Sequence, residues 1–430
     1  MEHIRREFAM KKMMFVVLIV TIAIITPLFA QGQVENSDEP VVVSLNTLFH
    51  GGDAAAMEMI VKEFNSTHDD IQIELTQGGW TDYTAQLNNA VLAGEAPQIA
   101  TILNFSLPSS LPALLPLNNT PAGNMIAKFN FKRDDYVPTV WDIATQNGNQ
   151  YGIPLDNTML GIYYNKDIFV AAGLDPENPP KTQKEFNYAM KAIKDAGYYA
   201  FNPGAYGAPR WYRRMWYALL WQNNGELLDG EKAAFNTPQG LEALKYLVSI
   251  REDGYNKPGT NGAAQFGAGE LGMMWNGTWH YFSLNDVDFE WGFMGIPTFF
   301  EQEKTWGSNH FLAIPKQSKK NEKLIEPAAE VIRWISDNSH TWGIYGGHVP
   351  MSKEALKNEE LLNSRTWEKT LKEFTRMSFE GVYKSLPTHP KINEINNAIQ
   401  PYIEEAYNGI ITPEEALRKA EADVNAVLAQ

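Results

Sequence analysis

Over residues 41–103, segments whose apolar residues have the pattern of a β-strand alternate with segments whose apolar residues have the spacing of a helix. Val41 to Leu48 (VVVSLNTL) is a mainly apolar run rich in β-branched residues, and the apolar residues after it recur at helical spacing. An alternating segment around Ile73, a second helical segment and the run Ile99 to Leu103 follow. Strands that are apolar throughout, alternating with helices, are typical of a parallel sheet with right-handed crossovers. The sequence therefore predicts an α/β fold.

The segment Gln265 to Lys316 concentrates aromatic, amide and imidazole side chains at the ends of predicted strands. An apolar strand from Leu271 to Trp275 leads into an Asn-Gly-Thr turn, and another strand is expected from Trp306 to Pro315. Open α/β sheets bind ligands beyond the carboxyl ends of their strands. The candidate ligand-binding residues of this segment are Trp275, Trp279, Trp306, Asn309 and His310.

Three further candidates lie elsewhere in the chain. Trp80 follows two glycines after the second predicted strand, although its ring could equally pack a loop, and Asn104 follows the third strand. The run from Pro209 to Trp216 is dense in aromatic residues and arginines and could contact a ligand. It could equally be a helix with Trp216 facing the core and the arginines facing solvent. Trp211 is retained because it precedes the helical pattern.

The first thirty residues have the layout of a secretory signal peptide. Basic residues precede an apolar run from Met13 to Ile25, and a cut after Ala30 is plausible. An uncleaved anchor and a twin-arginine signal at Arg5 and Arg6 remain alternatives to ordinary export. We expect the protein to be exported to the periplasm or another extracytoplasmic space.

Composition excludes several classes of function. The chain has no cysteine, which rules out a disulfide framework, a thiol nucleophile, a cysteine zinc site and a lipidated cysteine. Its net charge of −15 disfavours nucleic acid and anionic membrane as partners. Its 430 residues exceed what one hydrophobic core usually supports, so two lobes are expected.

Several segments resemble the family 1 extracellular solute-binding proteins of ABC sugar importers, the group that includes maltose-binding protein. In chain order they are VKEFN (61–65), LNNAVLAGEAPQI (87–99), IYYNKDIF (162–169), AAFNTPQGLEALKYL (233–247), GELGMMWNGTW (269–279) and GGHVP (346–350). They span most of the chain in the family's order. One departure is Gln98, where the family usually has aspartate. Because this position enters a strand, the change is expected to affect local hydrogen bonding and not ligand identity.

The resemblance implies a two-lobed periplasmic-binding-protein (type II) fold with a ligand cleft between the lobes. Lobe one would comprise residues 41–157 plus 297–341, and lobe two residues 158–296 plus 342–430. Ligand binding would favour closure of the lobes by a hinge motion, and the membrane permease would recognise the closed form. The positions that the resemblance places in the cleft are Asn104, Asp156, Asn157 and Trp279. Gly347 and His348, in the last matching segment, complete the candidate set.

The predicted function is therefore the extracytoplasmic substrate-binding component of an ABC importer. Its ligand would be a carbohydrate, expected to be an oligosaccharide, because pyranose C–H faces pack on aromatic rings while hydroxyls need polar partners. The expected partners are this saccharide and the permease subunits, with no nucleic acid. We expect a monomer without cofactor, metal or catalytic residues.

Two alternatives stay open. A secreted glycoside hydrolase or lyase would also stack sugars on aromatic rings, and Asp156 and Glu270 could supply its two carboxyl groups. No G-x-S-x-G, H-E-x-x-H or P-loop motif is present. The other alternative is a binding protein for an anionic ligand, a uronate or a glycerol phosphodiester, which rests on Arg210, Arg213 and Arg214.

Overall fold

The computed structural model describes residues 39–79, 82–208, 210–257 and 259–430. The predicted signal segment, residues 1–30, and the candidate Trp80 lie outside these ranges. The strands are β1 (Val41–Thr47), β2 (Ile71–Gln77), β3 (Ile99–Leu103), β4 (Thr145–Gln146), β5 (Asn149–Gln150), β6 (Ile153–Asn165), β7 (Tyr199–Asn202), β8 (Leu228–Asp229), β9 (Lys232–Ala233), β10 (Leu271–Gly277), β11 (Trp291–Met294), β12 (Thr305–Ala313), β13 (Val349–Pro350) and β14 (Tyr383–Lys384).

Helices cover this sheet, and they vary from one turn to four turns in length. They are α1 (Gly52–Thr67), α2 (Tyr83–Ala93), α3 (Leu107–Ser110), α4 (Met125–Lys128), α5 (Pro138–Ile143), α6 (Lys166–Ala171), α7 (Gln183–Asp195), α8 (Arg210–Gln222), α9 (Pro238–Glu252), α10 (Gly262–Gly267), α11 (Ile325–Asp337), α12 (Ser339–Gly346), α13 (Glu359–Leu362), α14 (Lys372–Phe379), α15 (Ile392–Tyr407) and α16 (Pro413–Leu428). A 3₁₀ segment, Thr278–Leu284, follows β10 directly.

The main sheet runs in the order β2-β1-β3-β12-β6-β10-β7. The first three strands are parallel, which confirms the predicted β-α-β-α-β order. The long strands β6 and β12 are antiparallel neighbours at the middle of this order, and every residue of both is buried. The amino-terminal part of β6 pairs with β12, whereas its carboxyl-terminal part pairs with β10 and β11. These two strands therefore connect the two parts of the sheet. The predicted lobe boundaries stay a prediction.

Local sequence signals place several helix starts correctly. Threonine followed three residues later by glutamate, as in Thr182–Glu185 and Thr412–Glu415, predicts a capping box at a helix start. The box at α7 is present, because the Thr182 hydroxyl accepts from the Glu185 backbone while the Glu185 carboxylate accepts from the Thr182 backbone. Thr412 likewise caps α16, but the Glu415 carboxylate pairs with Lys419 instead of closing the box. Only half of the second box therefore forms.

Gln98 has the local role expected of it. Its Oε1 atom accepts from the backbone nitrogen of Ser44 at 2.9 Å and from the Ser44 hydroxyl at 2.7 Å. Its amide nitrogen donates to Gln317 at 3.3 Å. This side chain thus ties β1 to the start of β3 and to the segment after β12.

The glycine-rich segment from Trp342 to Pro350 (WGIYGGHVP) predicts a loop, and this prediction is wrong for its first half. Helix α12 continues to Gly346 and ends at Gly347, whose φ of 74° is the left-handed conformation that glycine adopts without strain. A Cβ atom at Gly343 would lie 2.9 Å from the Leu361 side chain, so close packing explains a glycine inside the helix. As a result the Trp342 ring is fully buried.

Candidate functional site

A cavity of about 470 Å³ lies between the first part of the sheet and helices α8 and α15. Residues between 82 and 88 and between 101 and 110 line it on one side. Residues of α8 and the part of α15 between 393 and 400 line it on the other side. Trp306, at the start of β12, is the predicted candidate that lines the cavity directly. The cavity is thus a cleft between two parts of the fold.

Helix α8 contributes three arginines to this cleft. Arg210, Arg213 and Arg214 all line it. The interpretation of α8 as a helix with solvent-facing arginines is wrong for two of them, since Arg213 is 8% exposed and Arg214 7% exposed. Trp216 packs in the core on the same helix, as that interpretation expected. From Trp211 to Gln222, α8 is therefore buried between the core and the cleft, and only Arg210 at its start is partly exposed.

Burial and mutual repulsion govern the charges of these arginines. Burial lowers the pKa of Arg214 well below its usual value, and the charges of Arg210 and Arg213 lower it further. Burial also lowers the pKa of Arg210, against which Tyr206 acts in the opposite direction. In the described part of the chain, none of the three arginines forms an ion pair with a carboxylate. The cleft therefore has an excess of positive charge on its α8 side.

Aromatic rings adjoin the arginines. The Arg214 guanidinium carbon lies 4.0 Å from the centre of the Trp306 ring and 5.3 Å from that of Trp211. The Trp211 and Trp279 rings have centroids 6.0 Å apart, at an interplanar angle of 51°. Tyr206, which is 38% exposed, stacks at a tilt on Trp211 with centroids 5.4 Å apart. Tyr206, Trp211 and Trp279 together form what we call the aromatic wall. Trp211 is 1% exposed and supports the other two rings, so the surface of the wall consists of Tyr206 and Trp279.

The Trp279 ring needs the glycine two residues before it. A Cβ atom at Gly277 would lie 2.2 Å from the ring, which is closer than any packed structure allows. The Asn-Gly-Thr turn therefore lets the ring lie against the strand end, where it remains half-buried. This spacing explains how the sequence brings Trp279 to the aromatic wall.

A second group of polar residues does not line the cleft and is buried apart from Asp53, whose side chain is 14% exposed. Trp342 Nε1 donates to Asp156 Oδ2 at 2.7 Å, and the His310 backbone nitrogen donates to Asp156 Oδ1 at 3.1 Å. His310 Nδ1 lies 2.8 Å from Asp156 Oδ1. His348 bridges two carboxylates, with Nε2 at 3.0 Å from Asp53 Oδ1 and Nδ1 at 3.3 Å from Asp156 Oδ2. These five residues form what we call the ion-pair cluster.

Opposite charges stabilise the charged forms of Asp156 and His348 in the ion-pair cluster. Burial by itself would raise the pKa of Asp156, but the charges of His310 and His348 and the hydrogen bonds lower it below its usual value. Burial would lower the pKa of His348, but Asp53 and Asp156 raise it. Ligand atoms of Asp156, His310 and His348 lie within 4.8 Å of one another, which is close enough for a metal ion. However, both Asp156 oxygens already accept hydrogen bonds from N–H groups, so the contacts fit an ion pair better.

The comparisons with known proteins agree with this geometry. The family described as bacterial extracellular solute-binding protein matches residues 48–340, which is more than half of the chain. The chain belongs to this family. Solute-binding proteins of this kind bind their ligand and serve ABC importers. The predicted two-lobed α/β fold is confirmed by its solved relatives.

Two relatives illustrate the range of ligands among similar proteins. A cyclic α-maltosyl-1,6-maltose binding protein from Arthrobacter globiformis has 25% identity and a TM-score of 0.73, covering 90% of this chain and 99% of its own. An sn-glycerol-3-phosphate-binding periplasmic protein of Brucella abortus is 27% identical over 250 residues, covering 53% of this chain and 55% of its own length. One relative thus binds a neutral sugar and the other a phosphate ester.

No helix within the described residues combines the length and the apolar character that a membrane crossing needs.

This solute-binding protein distributes the sequence-predicted site residues over three environments. Trp306 lines the cleft. Trp211 and Trp279 belong to the aromatic wall, which does not line this cavity but adjoins it through the contact of Trp211 with Arg214. Trp275 has no exposed surface and therefore offers no ring face to a ligand in this conformation. Asp156, His310 and His348 belong to the ion-pair cluster, and Gly347 ends helix α12 next to it.

The predicted asparagines are buried near the crossing strands. Asn104 Oδ1 accepts from the Asn309 backbone nitrogen at 3.3 Å, and the Asn309 side chain donates to the Asp156 carbonyl at 3.1 Å. Both polar side-chain atoms of Asn157, by contrast, have no partner among the described residues. Asn157 and Asn309 are paired across β6 and β12. These amides lie beneath the cleft, in the structure that joins its two sides.

Sequence reasoning missed three residues that the structure places in these groups. Tyr206 belongs to the aromatic wall, and its position just before the arginine-rich helix was a usable signal. Asp53 and Trp342 belong to the ion-pair cluster, but no local pattern distinguishes them from other first-turn acids or helix tryptophans. Their partners are almost 300 and 200 positions away. Only the tertiary fold brings them together.

Proposed function

We propose that this protein binds a carbohydrate in the cleft between the two parts of the sheet and delivers it to an ABC permease. The observation that carries the proposal is the aromatic wall of Tyr206, Trp211 and Trp279 beside a polar cleft. Aromatic rings match the C–H faces of a pyranose, and the side-chain amides of α15 that line the cleft supply hydrogen-bond partners for its hydroxyls. The maltosyl-maltose-binding relative supports the same ligand class. The protein acts outside the cytoplasm after removal of its signal peptide, as a monomer.

The environment of Asp156 speaks against glycoside hydrolysis. A general acid or nucleophile must reach the glycosidic bond. Asp156 is 0% exposed, and its oxygens are taken by Trp342 and His310. Glu270 is exposed, at the turn before β10. The two carboxyl groups that the enzyme alternative needs therefore do not share an accessible site.

Thermal-shift screening of the mature protein against neutral and acidic oligosaccharides tests this proposal. A ligand that binds raises the melting temperature in a concentration-dependent way. Each hit is then incubated with the protein and the sugar is analysed. Recovery of unchanged sugar is expected. Cleavage at a rate proportional to protein concentration would make the protein an enzyme.

Trp279→Ala is expected to weaken saccharide binding by about 2 kcal/mol, because it removes one ring of the aromatic wall. The loss of folding stability should be small, since the ring is half-buried. Titration of the best saccharide and denaturant unfolding measure the two effects. Trp141→Ala is the matched control, because Trp141 is 7% exposed and packs on Tyr136 instead of on the aromatic wall. That control should lose about 3–5 kcal/mol of stability and little affinity. The reverse pattern would place Trp279 in the core.

A further inference from the structure

Arg214 is a buried charge without a counter-charge. Its side chain lines the cleft and is 7% exposed. In the part of the chain that the structure describes, it forms neither a hydrogen bond nor an ion pair. Its guanidinium carbon lies over the Trp306 ring, 4.0 Å from the ring centre. Stacking of this kind leaves the N–H groups at the edge of the plane free to donate.

Neighbouring charges do not compensate Arg214. Its nearest charged neighbours are Arg210 and Arg213, which are also positive. The acids Asp82 and Glu394 line the same cleft, but neither lies within 4.0 Å of an arginine nitrogen. A buried charge that lacks a partner is costly, and like charges beside it add to the cost. The three arginines lack a counter-charge although the net charge of the chain is −15 and acidic residues are plentiful.

A structural role accounts for only one of the three arginines. Arg213 Nη1 donates to the Asn396 carbonyl at 2.7 Å, which ties α8 to α15. Arg210 and Arg214 have no equivalent contact with described residues. Both face the cleft, where a ligand would lie. Their charges are therefore available to a bound molecule.

We propose that Arg210 and Arg214 bind an anionic group of the ligand. A guanidinium presents paired N–H donors that match the oxygens of a carboxylate, phosphate or sulfate. The ligand is then a saccharide or polyol that carries one such group, with its uncharged part on the aromatic wall. The saccharide part of this inference rests on the proposed function, whereas the anion site rests on the arginines alone.

Matched pairs of neutral and acidic probes test the charge requirement. Calorimetry on the mature protein compares a galactose disaccharide with digalacturonate, and glycerol with glycerol 3-phosphate, with inorganic phosphate as the bare anion. The acidic member of at least one pair is expected to bind about tenfold tighter or more, which corresponds to about 1.4 kcal/mol. Its advantage should shrink as salt concentration rises.

Arg214→Met tests whether the advantage comes from this side chain. Methionine keeps an apolar stem over Trp306 and removes the charge, so the melting temperature of the ligand-free protein should not fall. The variant should bind the acidic and the neutral member of a pair equally. Arg210→Gln, on the cleft surface, provides the same test if Arg214→Met does not fold. Arg133→Met is the matched control, because Arg133 pairs with Asp142 in solvent, outside the cleft, and should keep the full advantage.

The outcomes separate this inference from the proposed function. Equal binding of the acidic and neutral members, or binding of neither, overturns the anion site, and equal binding still supports a carbohydrate ligand. Binding of phosphate and glycerol 3-phosphate without any saccharide supports the anion site and refutes the carbohydrate proposal. If both arginine variants still bind the acidic probe more tightly than the neutral one, the inference is also overturned, because other residues would then bind the anionic group.

Discussion

Asp156→Asn is expected to lower the free energy of unfolding by about 3–5 kcal/mol, the usual effect of removing one partner from a buried ion pair. The carboxylate is 0% exposed and balances the buried imidazoles of His310 and His348. An amide of the same size leaves those imidazoles without their shared counter-charge. Its NH₂ group would also face an N–H donor, because Trp342 and the His310 backbone both donate to this side chain. Urea unfolding at neutral pH measures the loss as a shift of the midpoint at constant slope.

Asp142→Asn is the matched control for this substitution. Asp142 pairs with Arg133 at the surface, where both side chains are about half exposed, at 52% and 49%. Exposed ion pairs contribute little to stability, so the control should lose much less than Asp156→Asn. Equal losses in the two variants would show that the buried ion-pair cluster contributes no more to the free energy of unfolding than an exposed ion pair does.

The same variant distinguishes a structural from a ligand-binding role for Asp156. The family resemblance places this position in the cleft, whereas the structure buries it beneath the cleft. Saccharide affinity of the folded variant should therefore change less than its stability. A stable variant that no longer binds any ligand would restore the original assignment.

Elements that are specified by local patterns could be predicted from the sequence. The period of the apolar residues predicts β1 to β3 and the helices between them, because apolar positions are buried in each strand and along one face of each helix. Of these strands only β3 is buried along its whole length, whereas β1 alternates the buried Val43 and Leu45 with more exposed positions. The capping box at Thr182 predicts the start of α7 for the same reason. Helix α12 was mispredicted because its glycines serve close packing and do not break the helix.

The candidate site could be predicted only in part, because its residues acquire their roles from distant partners. Trp279 and Trp306 follow turns or begin strands, which are local signals for the edge of a sheet. Asp156 follows the same logic, yet Trp342 and two imidazoles enclose it. Sequence spacing does not specify such neighbours. The resemblance identifies the positions near the cleft without distinguishing the surface of the cleft from the layer beneath it.

The arginines of α8 show a related limit. A helix with Trp216 inward is expected to turn its charged residues to solvent, since burying a charge is costly. The structure instead buries both faces, because β12 and α15 cover the side that carries Arg213 and Arg214. Amphipathicity cannot anticipate this arrangement. Arginines buried in this way serve a function other than keeping the protein soluble.

Stability is expected to fall as the pH rises above neutral, because of His348. Burial would lower the pKa of this imidazole, but Asp53 and Asp156 raise it above the ordinary value of 6.5. The folded protein thus holds the proton more tightly than the unfolded chain. This stabilisation is complete below about pH 6.5 and is lost as the pH rises through the folded pKa. Each unit of pKa elevation contributes about 1.4 kcal/mol. Asp156 acts in the opposite sense, since its pKa is lowered and its contribution is lost in acid.

Urea unfolding from about pH 5.5 to about pH 9 separates His348 from the other titrating groups. The decline of the wild-type protein in the alkaline half of this range should be flatter in His348→Gln, which has no proton to lose. His389→Gln is the matched control, because its partner Glu231 is 75% exposed and the pair contributes little. Parallel declines in wild type and His348→Gln would contradict the assignment.

Because His348 joins Asp53 at the start of α1 to Asp156 on the crossing strand β6, its deprotonation loosens the contacts that hold the two parts of the sheet beneath the cleft. The pH range that weakens folding should therefore also weaken ligand binding, and it should do so less in His348→Gln.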